Sequence, residues 1–141
     1  NKTESSINYV DYSKWSTNKE INTANAISHA ACAVSRSQRI DILATMTHSG
    51  YTARMAARYR PAAKIIAMTP FKKTCRKLAI VWGVSPVLVR DYKSADEIPE
   101  VVNDELQKLG LIKKGESFVI TGGVPVGVSG TTNYLTVLTG S

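Results

Sequence analysis

Thr47-His48-Ser49-Gly50-Tyr51-Thr52 puts three hydroxyls, an imidazole and a glycine into one short stretch. Apolar Ile40 to Ala44 precedes it and reads as a short buried strand, and Gly50 to Tyr59 reads as a helix. The hydroxyls therefore fall at a strand-to-helix turn. The first N–H groups of a helix lack intrahelical partners, and the macrodipole adds partial positive charge there. Gly50 lets an oxyanion approach the backbone, so the chemistry on offer is phosphate binding. Helix capping by Thr47 or Ser49 is the competing use of the same side chains.

A second stretch with similar potential is Gly122-Gly123-Val124-Pro125-Val126-Gly127-Val128-Ser129-Gly130-Thr131-Thr132, which holds four of the nine glycines. It offers backbone amides with little side-chain obstruction. No lysine follows the glycines and no helix begins there, so it is not a Walker-type loop. A plain hairpin loop is the alternative.

The elements that must position these loops alternate along the chain. Residues 1–18 are polar, with scattered Tyr9, Tyr12 and Trp15, and read as an entering segment ahead of a core over 19–141. Ile21, Ala24, Ile27, Ala31 and Val34 recur at helical spacing within Glu20 to Arg36. Lys64 to Met68 reads as a strand. Thr69-Pro70 opens a helix to about Val81, with proline in its first turn. Ser85 to Val89 is a third strand opened by Pro86. Ser94 caps a helix over Ala95 to Leu109, with Asp96 and Glu97 where the dipole favours acids. Glu116 to Thr121 and Asn133 to Leu138 complete five strands. Strands separated by helices predict a mainly parallel sheet covered on both faces. The last two strands are joined by a loop alone and are expected to run antiparallel. Both glycine- and hydroxyl-rich loops then leave carboxyl ends of strands, where such sheets bind ligands.

Composition narrows the partners. The 141 residues, 43% hydrophobic and 21% charged, suit one domain with its own core. No apolar run spans a bilayer and no leader opens the chain, which starts at Asn1 and is expected to be a trimmed or partial polypeptide. Cys32 and Cys75 lack paired-ligand spacing and read as buried free thiols, which favours a reducing, cytoplasmic setting. His29 and Cys32 are three apart on a helix, yet no third ligand accompanies them, so no metal is expected. Much of the net charge of +7 lies on Arg54, Arg58, Arg60, Lys64, Lys72, Lys73, Arg76 and Lys77, and reads as a solvated face. No nucleic-acid fingerprint or membrane-binding segment is present in the pattern.

Thr47-His48-Ser49-Gly50-Tyr51-Thr52-Ala53, Ala57-Arg58-Tyr59-Arg60-Pro61, Ile65-Ile66-Ala67-Met68-Thr69, Trp82-Gly83-Val84, Thr121 to Gly127 and Gly130-Thr131-Thr132-Asn133 together resemble the C-terminal domain of pyruvate kinase, in its bacterial form. The resemblance runs from about Glu20 to the end. It implies a three-layer α/β/α sandwich with a five-stranded, mostly parallel sheet whose last strand is antiparallel. It implies an allosteric effector site and a share in the subunit contacts of a homo-oligomer, a dimer or tetramer. Catalytic residues are expected to be absent, because the catalytic barrel with its ATP/ADP, magnesium and potassium sites lies earlier in the parent chain. Thr47, His48, Ser49, Gly50 and Thr52 match the effector-phosphate loop, with hydroxyls from Thr47, Ser49 and Thr52 and an N–H from Gly50. Gly127, Ser129, Gly130 and Thr131 match the loop that folds over the sugar. Gly123 and Val124 stand where animal and yeast members carry Trp and Arg, and His48 stands where lysine is frequent. The implied ligands are fructose 1,6-bisphosphate, a sugar monophosphate or a nucleotide monophosphate.

Overall fold

The computed structural model describes residues 23–123 and 132–141. The entering segment, the start of the first helix at Glu20 and the loop positions Gly127, Ser129, Gly130 and Thr131 lie outside the described residues. The elements are α1 (Thr23–Ser37), β1 (Ile42–Met46), α2 (Tyr51–Ala57), β2 (Lys64–Thr69), α3 (Lys72–Leu78), β3 (Val84–Leu88), α4 (Ile98–Lys108), β4 (Ser117–Gly123) and β5 (Thr132–Thr139), with a 3-10 turn, Ala95–Glu97, ahead of α4.

Five strands form one sheet in the order β3-β2-β1-β4-β5. The β1–β2, β1–β4 and β2–β3 pairs are parallel, and β4–β5 is antiparallel, as expected. Every residue of β1 is buried, because this central strand is covered on both faces. The period-two alternation of a strand divides the apolar side chains into two cores. Ile42, Ala44, Met46, Ile66, Met68, Phe118 and Ile120 face α4 through Ile98, Val101, Val102 and Leu106. Leu43, Ile65, Ala67 and Val119 face α1, α2 and α3 through Ala31, Cys32, Ala53, Ala56 and Leu78. Small residues on α1 and α2 let these helices lie close to the sheet. The result is three layers.

Several boundaries differ from the sequence reading, each for a local reason. β1 begins at Ile42 instead of Ile40, because α1 ends in a Schellman-type turn: Ile40 N–H donates to the Ser35 carbonyl at 2.8 Å. Thr69 is the last residue of β2 and does not open a helix. A residue before proline is pushed toward extended backbone, so Pro70 delays α3 to Lys72, with Phe71 at the N-cap, and α3 stops at Leu78 instead of Val81. Pro86 sits inside β3 opposite Ala67 instead of opening it. An edge strand tolerates the missing N–H. Ser94 makes no side-chain cap bond, and the expected helix from Ala95 opens as the 3-10 turn before α4, which carries proline in its first turn.

Arg39, at the end of the α1 turn, has φ 55 and so occupies the left-handed region that favours glycine. Arg39→Gly is expected to raise the unfolding free energy by about 0.5–1 kcal/mol, since the strained side chain is removed where glycine is at ease. Urea unfolding at neutral pH measures it, and a destabilised variant would refute the strain argument.

Candidate functional site

Strand order decides where the loops emerge. From β1 the chain steps to β2 and β3 on one side, then returns to place β4 on the other side of β1. The order therefore reverses between β1 and β4, and open α/β sheets bind ligands at the carboxyl ends beside such a reversal. The two strands end side by side there, with Met46 opposite Gly122. A Cβ on Gly122 would stand 3.1 Å from the Met46 Cβ and 3.2 Å from its carbonyl oxygen, so this close approach needs glycine. Both loops singled out in the sequence start at this place.

The first loop is tightly organised. Thr47 N–H donates to the Met68 carbonyl at 3.0 Å, which ties the residue after β1 to β2. The Thr47 hydroxyl oxygen accepts the Gly50 N–H at 2.7 Å, and Thr47 is only 4% exposed. Gly50 has φ 96 and is the N-cap of α2. The Ser49 hydroxyl oxygen lies 3.4 Å from the Tyr51 N–H, a long contact. The Thr52 and Thr132 hydroxyls share a buried hydrogen bond of 2.8 Å, which fastens α2 to the first residue of β5. The expected hydroxyl donors Thr47, Ser49 and Thr52 all have partners within the fold, and Ser49 and His48 are half-buried.

His48 is held by α3 and the segment after β3. The Thr74 hydroxyl donates to the His48 carbonyl at 2.6 Å, and the imidazole lies 5.3 Å from the ring centroids of both Phe71 and Tyr92. Burial lowers the His48 pKa below its ordinary 6.5, with the Asp91 carboxylate opposing. Burial also lowers His29, and Arg36 adds to the shift. A depressed histidine favours the neutral form in the folded chain, so this stability is present above pH 6.5 and is lost as pH falls through the folded pKa. The melting temperature is expected to drop between pH 7.5 and 5, and to drop less in His48→Gln. Identical pH profiles for the two proteins would contradict this.

Arg54 was not among the sequence candidates. A Cβ on Gly50 would be 3.6 Å from the Arg54 guanidinium carbon and 3.2 Å from Leu78 Cδ2. The exposed guanidinium therefore stands against the glycine of the turn and brings a positive charge to it. Its position four residues after Gly50, one helical turn on, was the available signal.

Elsewhere the chemistry-bearing side chains pack. His29 meets Tyr59 edge to face at 5.3 Å, and the Cys32 thiol lies 3.8 Å from the Ala56 carbonyl. Burial pushes the Cys32 thiol up to about 11, so it is unreactive at neutral pH. Cys32 is buried, Cys75 is half-buried, and both are free thiols. Among the described residues no group of three or more His, Cys, Asp or Glu could hold a metal ion, and no helix is long and apolar enough to cross a membrane.

Comparison with known proteins agrees with this architecture. The family model for the pyruvate kinase alpha/beta domain matches residues 25–138. A pyruvate kinase of Clostridium acetobutylicum is 38% identical over 135 residues, covering 95% of this chain and 28% of that protein. One of Lactobacillus delbrueckii subsp. bulgaricus is 38% identical over 117 residues, covering 83% of this chain and 20% of that protein. Among solved structures, Cryptosporidium parvum pyruvate kinase in complex with ADP shares the fold, with TM-score 0.75 and 23% identity over 86% of this chain and 24% of that one. This chain thus spans between a fifth and about 28% of the length of these relatives. By the match of family model, relatives and sheet topology, the chain belongs to the pyruvate kinase alpha/beta domain family.

Proposed function

We propose that this chain is the regulatory part of a longer, cytoplasmic, glycolytic pyruvate kinase. In this reading it binds a phosphorylated effector at the β1–β4 reversal and transfers no phosphoryl group itself. The observation that carries the reading is the emergence of both candidate loops from adjacent strand ends at that reversal. We assign the phosphate to the turn of His48, Ser49 and the Tyr51 amide, with the Arg54 guanidinium against Gly50, and assign contacts with the rest of the ligand to Gly127, Ser129, Gly130 and Thr131. Arg54 brings a cation to the first turn, whereas Gly123 and Val124 bring none to the second loop. The effector is a sugar phosphate or a nucleotide monophosphate. It acts by binding one subunit arrangement of a homo-oligomer better than another.

Calorimetric titration with fructose 1,6-bisphosphate, ribose 5-phosphate and AMP tests this. At least one is expected to bind, and Ser49→Ala with Arg54→Ala is expected to weaken it by tenfold or more, about 1.4 kcal/mol. Pyruvate formed from phosphoenolpyruvate and ADP by this polypeptide alone would overturn the assignment.

A second reading, an assembly module with a vestigial ligand site, is favoured by the internal pairing of the Thr47 and Thr52 hydroxyls. Among the described strands none pairs with the outer edge of β5, which leaves an edge for another copy to extend. Silence with all three ligands, together with a dimer in sedimentation, would select it.

A further inference from the structure

Charge divides this domain by the faces of its sheet. On the face covered by α1, α2 and α3, none of the three helices carries a carboxylate. There α2 and α3 together bear Arg54, Arg58, Lys72, Lys73, Arg76 and Lys77, all exposed. On the other face, the 3-10 turn and α4 carry Asp96, Glu97, Glu100, Asp104 and Glu105, against Lys108 alone. The other acids lie elsewhere. Asp41 and Glu116 directly precede β1 and β4, at the amino end of the sheet, whereas α3 lies over β2 and β3. Asp91 follows β3, and the Lys93 ammonium meets its carboxylate at 3.3 Å. Glu4, Asp11 and Glu20 precede the described residues.

The cations of the basic face are grouped. α3 buries Thr74 and Leu78, one turn apart, so Lys72, Lys73, Arg76 and Lys77 share its outward side. Leu78 and the Arg54 guanidinium both stand against Gly50, which brings a cation of α2 beside the last turn of α3. At the head of α3 the N-cap residue Phe71 is 47% exposed, and its ring lies 5.3 Å from that of His48. Cations on a helix are ordinarily just solvated. Here no carboxylate shares the two helices, and an exposed aromatic ring directly precedes Lys72. The outward side of α3 also lacks the apolar centre around which a protein interface forms. Grouped cations beside an aromatic platform suit a chain of phosphates whose bases are free to stack. A duplex, with its bases already stacked on one another, can use only the cations.

We propose that α2 and α3 form a track for single-stranded nucleic acid, with backbone phosphates on Lys72, Lys73, Arg76 and Lys77 and one base stacked on Phe71. Binding of this kind reads charge and stacking, so it requires no sequence fingerprint. It stands apart from the effector reading. Nucleic-acid binding without effector affinity sinks that reading alone, and effector affinity without nucleic-acid binding sinks this one alone.

Fluorescence anisotropy with a labelled oligouridylate tests it, on the 141-residue chain and on the full-length gene product. With four phosphates neutralised, affinity is expected to fall about fifty-fold between 50 and 200 mM salt. A flat salt response overturns the proposal. Lys73→Gln with Lys77→Gln is expected to halve the slope of log affinity against log salt. Lys113→Gln with Lys114→Gln removes the same charge from exposed positions before β4 and is expected to leave the slope unchanged. Equal losses for the two pairs mean attraction by net charge alone and overturn the track. Phe71→Ala is expected to weaken the single strand about tenfold, within the range for one stacked base, and to leave a duplex and inorganic polyphosphate unaffected. Unchanged single-strand affinity in Phe71→Ala overturns the assignment, as does tighter binding of duplex or polyphosphate than of the single strand. All these substitutions fall on exposed side chains and are expected to keep the unfolding midpoint. A full-length protein that binds no oligouridylate covers the track, and overturns the proposal as well.

Discussion

Thr47→Val is expected to lower the unfolding free energy by about 1–3 kcal/mol, the cost of leaving a buried donor without its acceptor. Valine keeps the shape of threonine and removes only the oxygen that the Gly50 N–H reaches at 2.7 Å. That amide cannot simply turn to water, because Leu78 packs against the Gly50 backbone with Cδ2 3.2 Å from the Cβ position. The turn would open or shift, and the phosphate affinity proposed above would fall with it. Urea unfolding and calorimetric titration on the same variant separate the two effects. Thr47→Ser, which restores the acceptor, is expected to recover most of both. A fully stable valine variant would mean that the hydroxyl is dispensable to the fold, and would move its role wholly to the ligand.

Phe118→Ala carries the larger cost, about 3–5 kcal/mol, through lost transfer energy and a cavity the neighbours cannot fill. Phe118 is fully buried in β4, in the core that α4 closes with Ile98, Val102 and Leu106. Domains of this kind have a total stability of about 5–15 kcal/mol, so this one side chain commands a large fraction. Val137→Ala on β5, whose side chain is partly exposed, is expected to change stability by about 0.5 kcal/mol or less. Denaturant midpoints for both variants measure the contrast. Similar losses at the two positions would contradict the description of the core.

The sheet was readable in the sequence because its signals are short and local. Apolar runs such as Ile65 to Met68, separated by helix-length patterns, point to the α/β class, and the shortness of the sequence between β4 and β5 points to their antiparallel pairing. Boundaries were less legible where a single hydrogen bond decides them. The Schellman-type turn at Ser35 to Ile40 and the extended Thr69 before Pro70 are choices between nearly equal local options. At the candidate site the residue types were visible, but their partners were not. Thr52 finds Thr132 across eighty positions of sequence, and the Thr74 hydroxyl finds the His48 carbonyl. Such pairings follow from how helices lie on the sheet, which no local pattern encodes. The Arg54 guanidinium was overlooked for another reason: on a helix beside Lys and Arg neighbours, it looks like one more solvated cation.

Placing β4 beside β1 also governs how the chain is made. On a ribosome, β1, β2 and β3 emerge first and can pair with one another, yet β1 keeps one hydrogen-bonding edge empty until Ser117 to Gly123 has been synthesised. During that interval a strand that is buried along its whole length in the finished domain is an open template for other nascent chains, and such edges invite aggregation. Chaperone dependence during translation should therefore end when β4 clears the exit tunnel, and nascent chains halted before Ser117 should be the ones that chaperones retain.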